Sequence, residues 1–251
     1  MESVKTALRV VAAIAQAGVI GLSELARKLE EPKATVQRNL NTLHEAGWIR
    51  PIQSGNHRHR RVWTLTTIML TLGRSAVAEP RLLDVAIPVM ERLHRKTQET
   101  IHLTVPEGRS MVLIEQMESL HALRATRPMG MRVPLHLASG GKAVLAYSAV
   151  ADQERYLMEP LERATSKSIT DPGVLRRELK KIRASGFAVV VSELDESLRA
   201  VGSAILNKEQ RPIAALSIFC PAVRLSNAKI PRFGKLVRVA AAEIGAALAA
   251  G

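Results

Sequence analysis

The residues best suited to chemistry fall in two clusters near the amino terminus. Read as a helix of about 100° per residue, Lys33–Ala46 places Val36, Leu40 and Leu43 on one narrow apolar stripe. Ala34, Arg38, Asn41 and Glu45 fall on the opposite face, with Gln37 at its edge. Arginine can pair with guanine through two hydrogen bonds, and asparagine or glutamine can do the same with adenine. Helices that read DNA contact bases mainly with their first turns. The candidate base readers are therefore Lys33, Thr35, Gln37, Arg38 and Asn41. Any surface helix can show such a mixture, so this helix alone does not decide the matter. The second cluster adds weight: Arg50, His57, Arg58, His59, Arg60 and Arg61 lie in one stretch free of carboxylates. Like charges crowded on a short loop repel unless a partner neutralises them, and a phosphate backbone or minor groove is such a partner. Arg58, Arg60 and Arg61 are the candidate phosphate contacts.

Other chemistries fit poorly. His57 and His59 could form half a metal site, but no carboxylate or cysteine stands near them. Ser139-Gly140-Gly141-Lys142 resembles a phosphate loop, yet His136 stands where its first glycine belongs and Ala143 follows the lysine. The esterase, metalloprotease and paired-cysteine motifs are missing, so neither an enzyme nor a cofactor is expected. Cys220 is the single cysteine, which suits a reducing cytoplasm. The longest charge-free apolar stretches, such as Ala143–Ala151, fall short of the ~20 residues needed to cross a bilayer. The formal net charge of +13 over 251 residues favours a polyanionic partner. It is spread along the chain, +5 over residues 1–80 and +8 over residues 81–251, so its clustering matters more than its sum. With only 3% aromatic residues, single-strand recognition by base stacking is disfavoured.

The positioning elements follow from periodicity. Val4–Ala17 reads as an amphipathic helix ending at Gly18, and a short helix with Ser23 as its N-cap carries Leu25, Ala26 and Leu29. Pro32 breaks that helix, the candidate reading helix follows, and Gly47 ends it. Trp48–Ile52 and Arg61–Leu65 then read as a β-hairpin around Gly55-Asn56. Helix, helix-turn-helix and hairpin make a winged helix-turn-helix, expected over residues 1–65. Thr66–Ala78 reads as a connector helix within a linker at 66–79, and Pro80 marks the boundary. Residues 80–251 change to a mixed pattern. Helices are expected at Arg81–Lys96, Gly141–Ser148, after the Asp171-Pro172 cap as far as Gly186, and from Ile230 to the end. Strands are expected at Thr100–Val105, Met111–Gln116, Ala122–Thr126, Phe187–Ser192, Ala200–Ile205 and Pro212–Phe219. The fold class is α+β: a winged helix-turn-helix plus a sheet flanked by helices.

Four blocks resemble the IclR family of bacterial transcription regulators: Ser3–Val11; Leu22–Leu29 with Pro32–Arg38; Val133-Pro134-Leu135-His136 with Gly141–Ala146; and Ile182–Ala188 with Glu193. The resemblance spans about residues 3–249, and the third block is its most specific part. It implies a GAF-like C-terminal α/β sensor domain that binds a small organic acid effector. It also implies homodimers or homotetramers on a palindromic double-stranded DNA operator. The effector contacts it implies fall at Ser139, Gly140 and Gly141, whose N–H groups would lie just before a helix, and on late strands at Ala200, Ser217 and Phe219. Where relatives often carry a carboxylate this chain has Val190 and Val191; where a cysteine is frequent it has Ala200; and Phe219 replaces a small hydroxyl residue. An apolar pocket favouring an aromatic or longer aliphatic acid is expected. Val190 and Ala200 also fit plain strand core. Lys142 is expected at a subunit or domain contact. The rival reading is a DNA-binding architectural or regulatory protein whose C-terminal domain only oligomerises.

Overall fold

The computed structural model describes residues 2–53, 61–76 and 81–250. The chain forms two compact units, Met1–Val77 and Ala78–Gly251.

In the first unit, α1 (Glu2–Ala17), α2 (Leu22–Leu29) and α3 (Lys33–Glu45) pack together. A three-stranded antiparallel sheet of β1 (Ile20–Gly21), β3 (Arg61–Leu65) and β2 (Ile49–Gln53), in that spatial order, closes the unit. Val10, Ile14, Leu25, Val36 and Leu40 are fully buried, joined by Ile20, Ile49 and Trp63 from the strands. Gly18 and Gly47 take positive φ values of 70° and 77° at the chain reversals after α1 and α3, where a side chain would be strained. Ser23 is not the cap expected of it. Helix α2 begins at Leu22 with Gly21 as its N-cap, because Ile20 and Gly21 are taken up by pairing with Trp63 and Val62. Helix α4 (Ile68–Ala76) ends the unit.

The second unit is built on a six-stranded antiparallel sheet. Its strands in chain order are β4 (Thr100–Glu107), β5 (Ser110–Met117), β6 (Arg132–Pro134), β7 (Ala188–Val191), β8 (Leu198–Leu206) and β9 (Pro212–Pro221), in the spatial order β6-β5-β4-β9-β8-β7. Alternation sorts its side chains by face. Ile101, Leu103, Val201, Leu216 and Ile218, all fully buried, fall on the face opposite Ala188, Ala204 and Ala215. Helices α5 (Leu82–Thr97) and α9 (Ile230–Ala249) pack together, and α9 lies on β8 and β9. Ala204 and Ala215 meet α6 (Ser139–Tyr147), which follows a 3₁₀ turn at Leu135–Leu137. Beyond α6 lie α7 (Val150–Met158) and α8 (Pro172–Ser185). In α8, Asp171 caps the N-terminus by accepting from the Val174 N–H at 2.6 Å, and Gly186 ends the helix at φ 81°.

One expected strand of this unit fails to form, and one helix is unexpected. Ala122–Thr126 is irregular, not a strand; its backbone is held by single ties, such as Thr100 Oγ1 donating to the Ala125 carbonyl. The short strand Arg132–Pro134 pairs with β5 instead. Helix α7 has no counterpart among the expected elements, because Val150 and Met158 face solvent and only Tyr156 and Leu157 are buried, a weak apolar period. The overall class is α+β, as expected.

Candidate nucleic-acid interface and ligand cavity

Helix α3 buries Val36, Leu40 and Leu43 together with Asn39, whose amide donates to the Thr35 carbonyl at 2.9 Å. Lys33, Arg38 and Asn41 are exposed, while Thr35 and Gln37 are half-buried. The Gln37 amide donates to Asn41 Oδ1 at 2.9 Å, so Asn41 offers its own N–H groups outward. An adenine contact using both ends of the Asn41 amide would require Gln37 to let go. On the hairpin, Arg61 is exposed and its guanidinium lies 5.2 Å from the centre of the Trp63 ring, which His44 meets edge-on at 5.6 Å. A buried indole thus supports the base of the wing. Arg58 and Arg60, with His57 and His59, lie outside the described residues.

In the second unit a cavity of about 80 Å³ opens on the α6 face of the sheet. Ser139, Gly140, Val190, Ala200, Ser217 and Phe219 all line it. Register explains why. Ala200 pairs with both Phe219 and Val190, and Ser217 lies between His102 and Gly202, so these side chains form two adjacent rows. Val191 has the opposite parity and is exposed. Ser139 Oγ donates to Ser217 Oγ at 3.2 Å, tying the start of α6 to β9.

The α6 terminus differs from expectation. Ser139, Gly140 and Gly141 are its first turn, with Ala138 as the N-cap, rather than a loop before it. The Lys142 N–H makes the first bond to the Ala138 carbonyl at 2.8 Å, so the three preceding N–H groups have no acceptor within the helix. Gly141 does not line the cavity: a Cβ there would lie 2.3 Å from the Leu135 carbonyl oxygen, so glycine is required by contact with the 3₁₀ turn. Gly140 is equally constrained, since a Cβ would lie 2.8 Å from Ala215 Cβ.

Sequence reasoning missed the polar wall of this cavity: His102, Arg127 and Asp195 line it too. Arg127 Nη2 donates to Asp195 Oδ2 at 3.2 Å. His102 stacks on Phe219 with ring centres 4.8 Å apart. Burial pushes the His102 imidazole down to about 4, the Arg127 charge adds to that effect, and a hydrogen bond with Gln116 opposes it. His102 is therefore neutral at physiological pH. No motif marks these residues, which come from three separate segments.

Lys142 also departs from expectation. It is fully buried inside the unit, with Nζ 2.7 Å and 2.8 Å from the two Glu193 carboxylate oxygens and 3.4 Å from Glu178 Oε1. His136 is internal as well: Nδ1 meets the Tyr156 hydroxyl at 2.7 Å and Nε2 meets the Glu162 carbonyl at 2.9 Å. Among the described residues, no group of three or more His, Cys, Asp or Glu is placed to hold a metal ion. No described helix is long and apolar enough to cross a membrane.

Residues 3–52 match the IclR helix-turn-helix domain, and residues 74–246 match the C-terminal domain of the bacterial transcriptional regulator IclR. The chain belongs to the IclR family. Within the IclR family, the HTH-type transcriptional regulator KdgR of Escherichia coli (strain K12) is 30% identical over 250 residues, covering 98% of this chain and 93% of KdgR. The Thermotoga maritima IclR crystal structure matches with a TM-score of 0.82 and 26% identity, covering 99% of each chain. An IclR homologue from Microbacterium hydrocarbonoxydans, crystallised with 4-hydroxybenzoate, shares the fold with a TM-score of 0.81 at 23% identity, covering 99% of this chain and 100% of that one. This IclR-family chain is a DNA-binding transcription regulator, and its curated relatives are regulators rather than enzymes.

Proposed function

We propose that this regulator binds a palindromic operator as a homodimer or homotetramer, and that a small organic acid in the C-terminal cavity changes its operator affinity. In this reading, Lys33, Thr35, Arg38 and Asn41 of α3 face the major groove, with Gln37 orienting Asn41. Arg58, Arg60 and Arg61 contact phosphate, and α4 is the connector between the DNA-binding and effector domains.

The observation that supports effector binding best is the cavity itself. It combines an apolar wall, including Met111, Leu113, Leu137, Val190 and Phe219, with the free first-turn N–H groups of α6 and the Ser139 and Ser217 hydroxyls. Donors at a helix start suit an anion. At roughly 10–15 Å³ per water, 80 Å³ accommodates several waters, and hence a compact ring or short branched chain in their place. The bound 4-hydroxybenzoate of the Microbacterium homologue is a ligand of this size class.

The test is a thermal-shift screen of aliphatic and aromatic acids against the full chain, followed by operator titration with each hit. A ligand favouring one state by ~1–3 kcal/mol changes operator affinity about 5–150-fold. Ala200→Phe, which fills the cavity, should abolish the response and leave operator binding without ligand unchanged. If no acid shifts the Tm or the operator affinity, the C-terminal domain is an oligomerisation module.

A further inference from the structure

One wall of the cavity carries polar groups that the fold leaves unused. His102 on β4 is only 8% exposed, and its Nε2 has no hydrogen-bond partner among the described residues. Arg127 Nε is likewise buried and unpartnered. Both residues line the cavity, and both lie against Phe219: His102 is stacked on the ring, and the Arg127 guanidinium is 5.6 Å from its centre. Buried N–H groups without acceptors are costly and uncommon in native folds. Arg199, which also lines the cavity, has a third such group at Nε, whereas Gln116 Oε1, on the residue paired with His102, is a buried acceptor without a donor; the two guanidinium N–H groups therefore call for an acceptor from outside the described residues.

Arg127 already holds a carboxylate, but loosely. Its bond to Asp195 Oδ2 is 3.2 Å long, whereas Asp195 Oδ1 accepts from the Ser197 hydroxyl at 2.7 Å and from the Ser197 N–H at 3.0 Å. Those Ser197 bonds, more than Arg127, hold the Asp195 carboxyl below its ordinary range. Asp195 therefore stays ionised and held in place without the guanidinium. The Arg127 backbone is fixed separately, its carbonyl accepting from Gln116 Nε2 at 3.0 Å. Its side chain can thus change partners while both main-chain anchors remain.

We propose that His102 and Arg127 are the carboxylate-recognising pair of this cavity, and that Asp195 competes with the ligand for Arg127. This rests on the reading that the cavity is the effector site. A ligand carboxylate would take one N–H from His102 Nε2, with the imidazole proton on that nitrogen, and others from the Arg127 guanidinium, at the free Nε and at Nη2 in place of Asp195. The apolar body of the ligand would lie along Phe219, Met111 and Leu137, and its carboxylate would stand near Ser217, the register partner of His102. The charges narrow the class further. Arg127 and Asp195 cancel and His102 is neutral, so Arg199, which lines the cavity and among the described residues meets only the Leu225 carbonyl and Asn227 Oδ1, leaves one positive charge for a single carboxylate to balance. A second carboxylate would exceed the positive charge that these described side chains supply. The ligand class is a flat or cyclic monocarboxylic acid.

The test is calorimetric titration of the full chain with benzoate and cyclohexanecarboxylate, using benzamide as the uncharged counterpart of benzoate. Arg127→Met should weaken benzoate by about 10–100-fold, as expected for loss of a charge-assisted hydrogen bond, and should change benzamide much less. His102→Phe keeps the stacking but removes Nε2, and should weaken benzoate about tenfold. Arg127→Lys, which retains the charge, should recover part of the loss. Asp195→Asn should tighten benzoate several-fold, a gain that misfolding cannot produce. The proposal is overturned if Arg127→Met weakens benzoate and benzamide equally, if Asp195→Asn weakens benzoate or leaves it unchanged, or if neither acid binds the parent or Asp195→Asn at millimolar concentration. Should another acid alter operator affinity and bind Arg127→Met as it binds the parent, the effector reading stands and this pair loses its role.

Discussion

Replacing Lys142 with methionine should destabilise the C-terminal unit by about 3–5 kcal/mol, the usual cost of stranding one partner of a buried ion pair. Lys142 is fully buried and Glu193 is 8% exposed, so solvent cannot reach the stranded carboxylate. For a unit of this size that corresponds to a fall in Tm of about 6–20 °C. Both tryptophans, Trp48 and Trp63, lie in the N-terminal unit, so tryptophan fluorescence reports that unit alone. Calorimetry should show the C-terminal transition moving while the fluorescence transition stays in place. The pH dependence has a definite sign. Burial raises the Glu193 carboxyl above its ordinary range, while Lys142 pulls it down. An acid with a raised value favours the fold when protonated, and that contribution is lost as pH rises. Without Lys142 the rise is larger, so the variant should be most impaired at neutral pH and approach the parent as pH falls towards about 5. Lys142→Met combined with Glu193→Leu should recover most of the loss, because an apolar pair of similar size replaces the ions. A single-variant cost below about 1 kcal/mol, or a double variant worse than the single, would refute the reasoning.

Arg38→Ala should erase most of the preference for operator over random duplex, at about 1–3 kcal/mol for one base contact, while the tryptophan-monitored melt is unchanged; retained selectivity in a competition assay would show that Arg38 reads no base. Alanine at Arg58, Arg60 and Arg61 together should weaken operator and random DNA alike, and flatten the plot of log affinity against log salt by about 0.9 for each phosphate no longer neutralised. An unchanged slope would return these arginines to a solvated surface. Asp171→Ala should cost the C-terminal unit about 1 kcal/mol through loss of the cap on α8, visible as a small shift of the calorimetric transition, whereas Asp171→Ser should be nearly neutral.

Local signals are the legible ones. Asp171 before Pro172, and Gly186 after Ile182, bracket α8 in the sequence as in the structure, because capping chemistry is confined to a few neighbouring residues. The stripe of Val36, Leu40 and Leu43 is equally plain, since burial repeats with the helical period. Ser23 misleads because a two-residue strand pairs with β3 just ahead of it, an interaction more than forty residues away in sequence. Ala122–Thr126 reads as a strand-like run but has no neighbouring strand to pair with, and composition alone does not make a ladder. At the cavity, Ser139, Gly140, Val190, Ala200, Ser217 and Phe219 are reached through family resemblance, and the sheet register brings them together. His102, Arg127 and Asp195 are invisible in the sequence because each is ordinary in its own segment. Only the pairing of β4 with β9, the fold of the 118–131 segment and the turn between β7 and β8 place them on one wall. Lys142 reads as a subunit or domain contact for the same reason: its partner Glu193 is 51 residues away.

The contact between α6 and the central strands limits how this cavity can change shape in evolution or in the laboratory. A Cβ at Gly202 would lie 2.7 Å from the Gly140 nitrogen, and one at Gly140 would lie 2.8 Å from Ala215 Cβ. Neither glycine can be exchanged without pushing helix and sheet apart, so the cavity floor is closed to substitution. Phe219, Ala200 and Val190 stand in a row across three strands, and trimming or enlarging any of them changes the volume without touching that seam. Change in the cavity's shape is thus channelled through a few codons on one wall. A library confined to that row and to Arg127 would sample most of the accessible range, whereas random mutagenesis of the floor would mainly return unfolded protein.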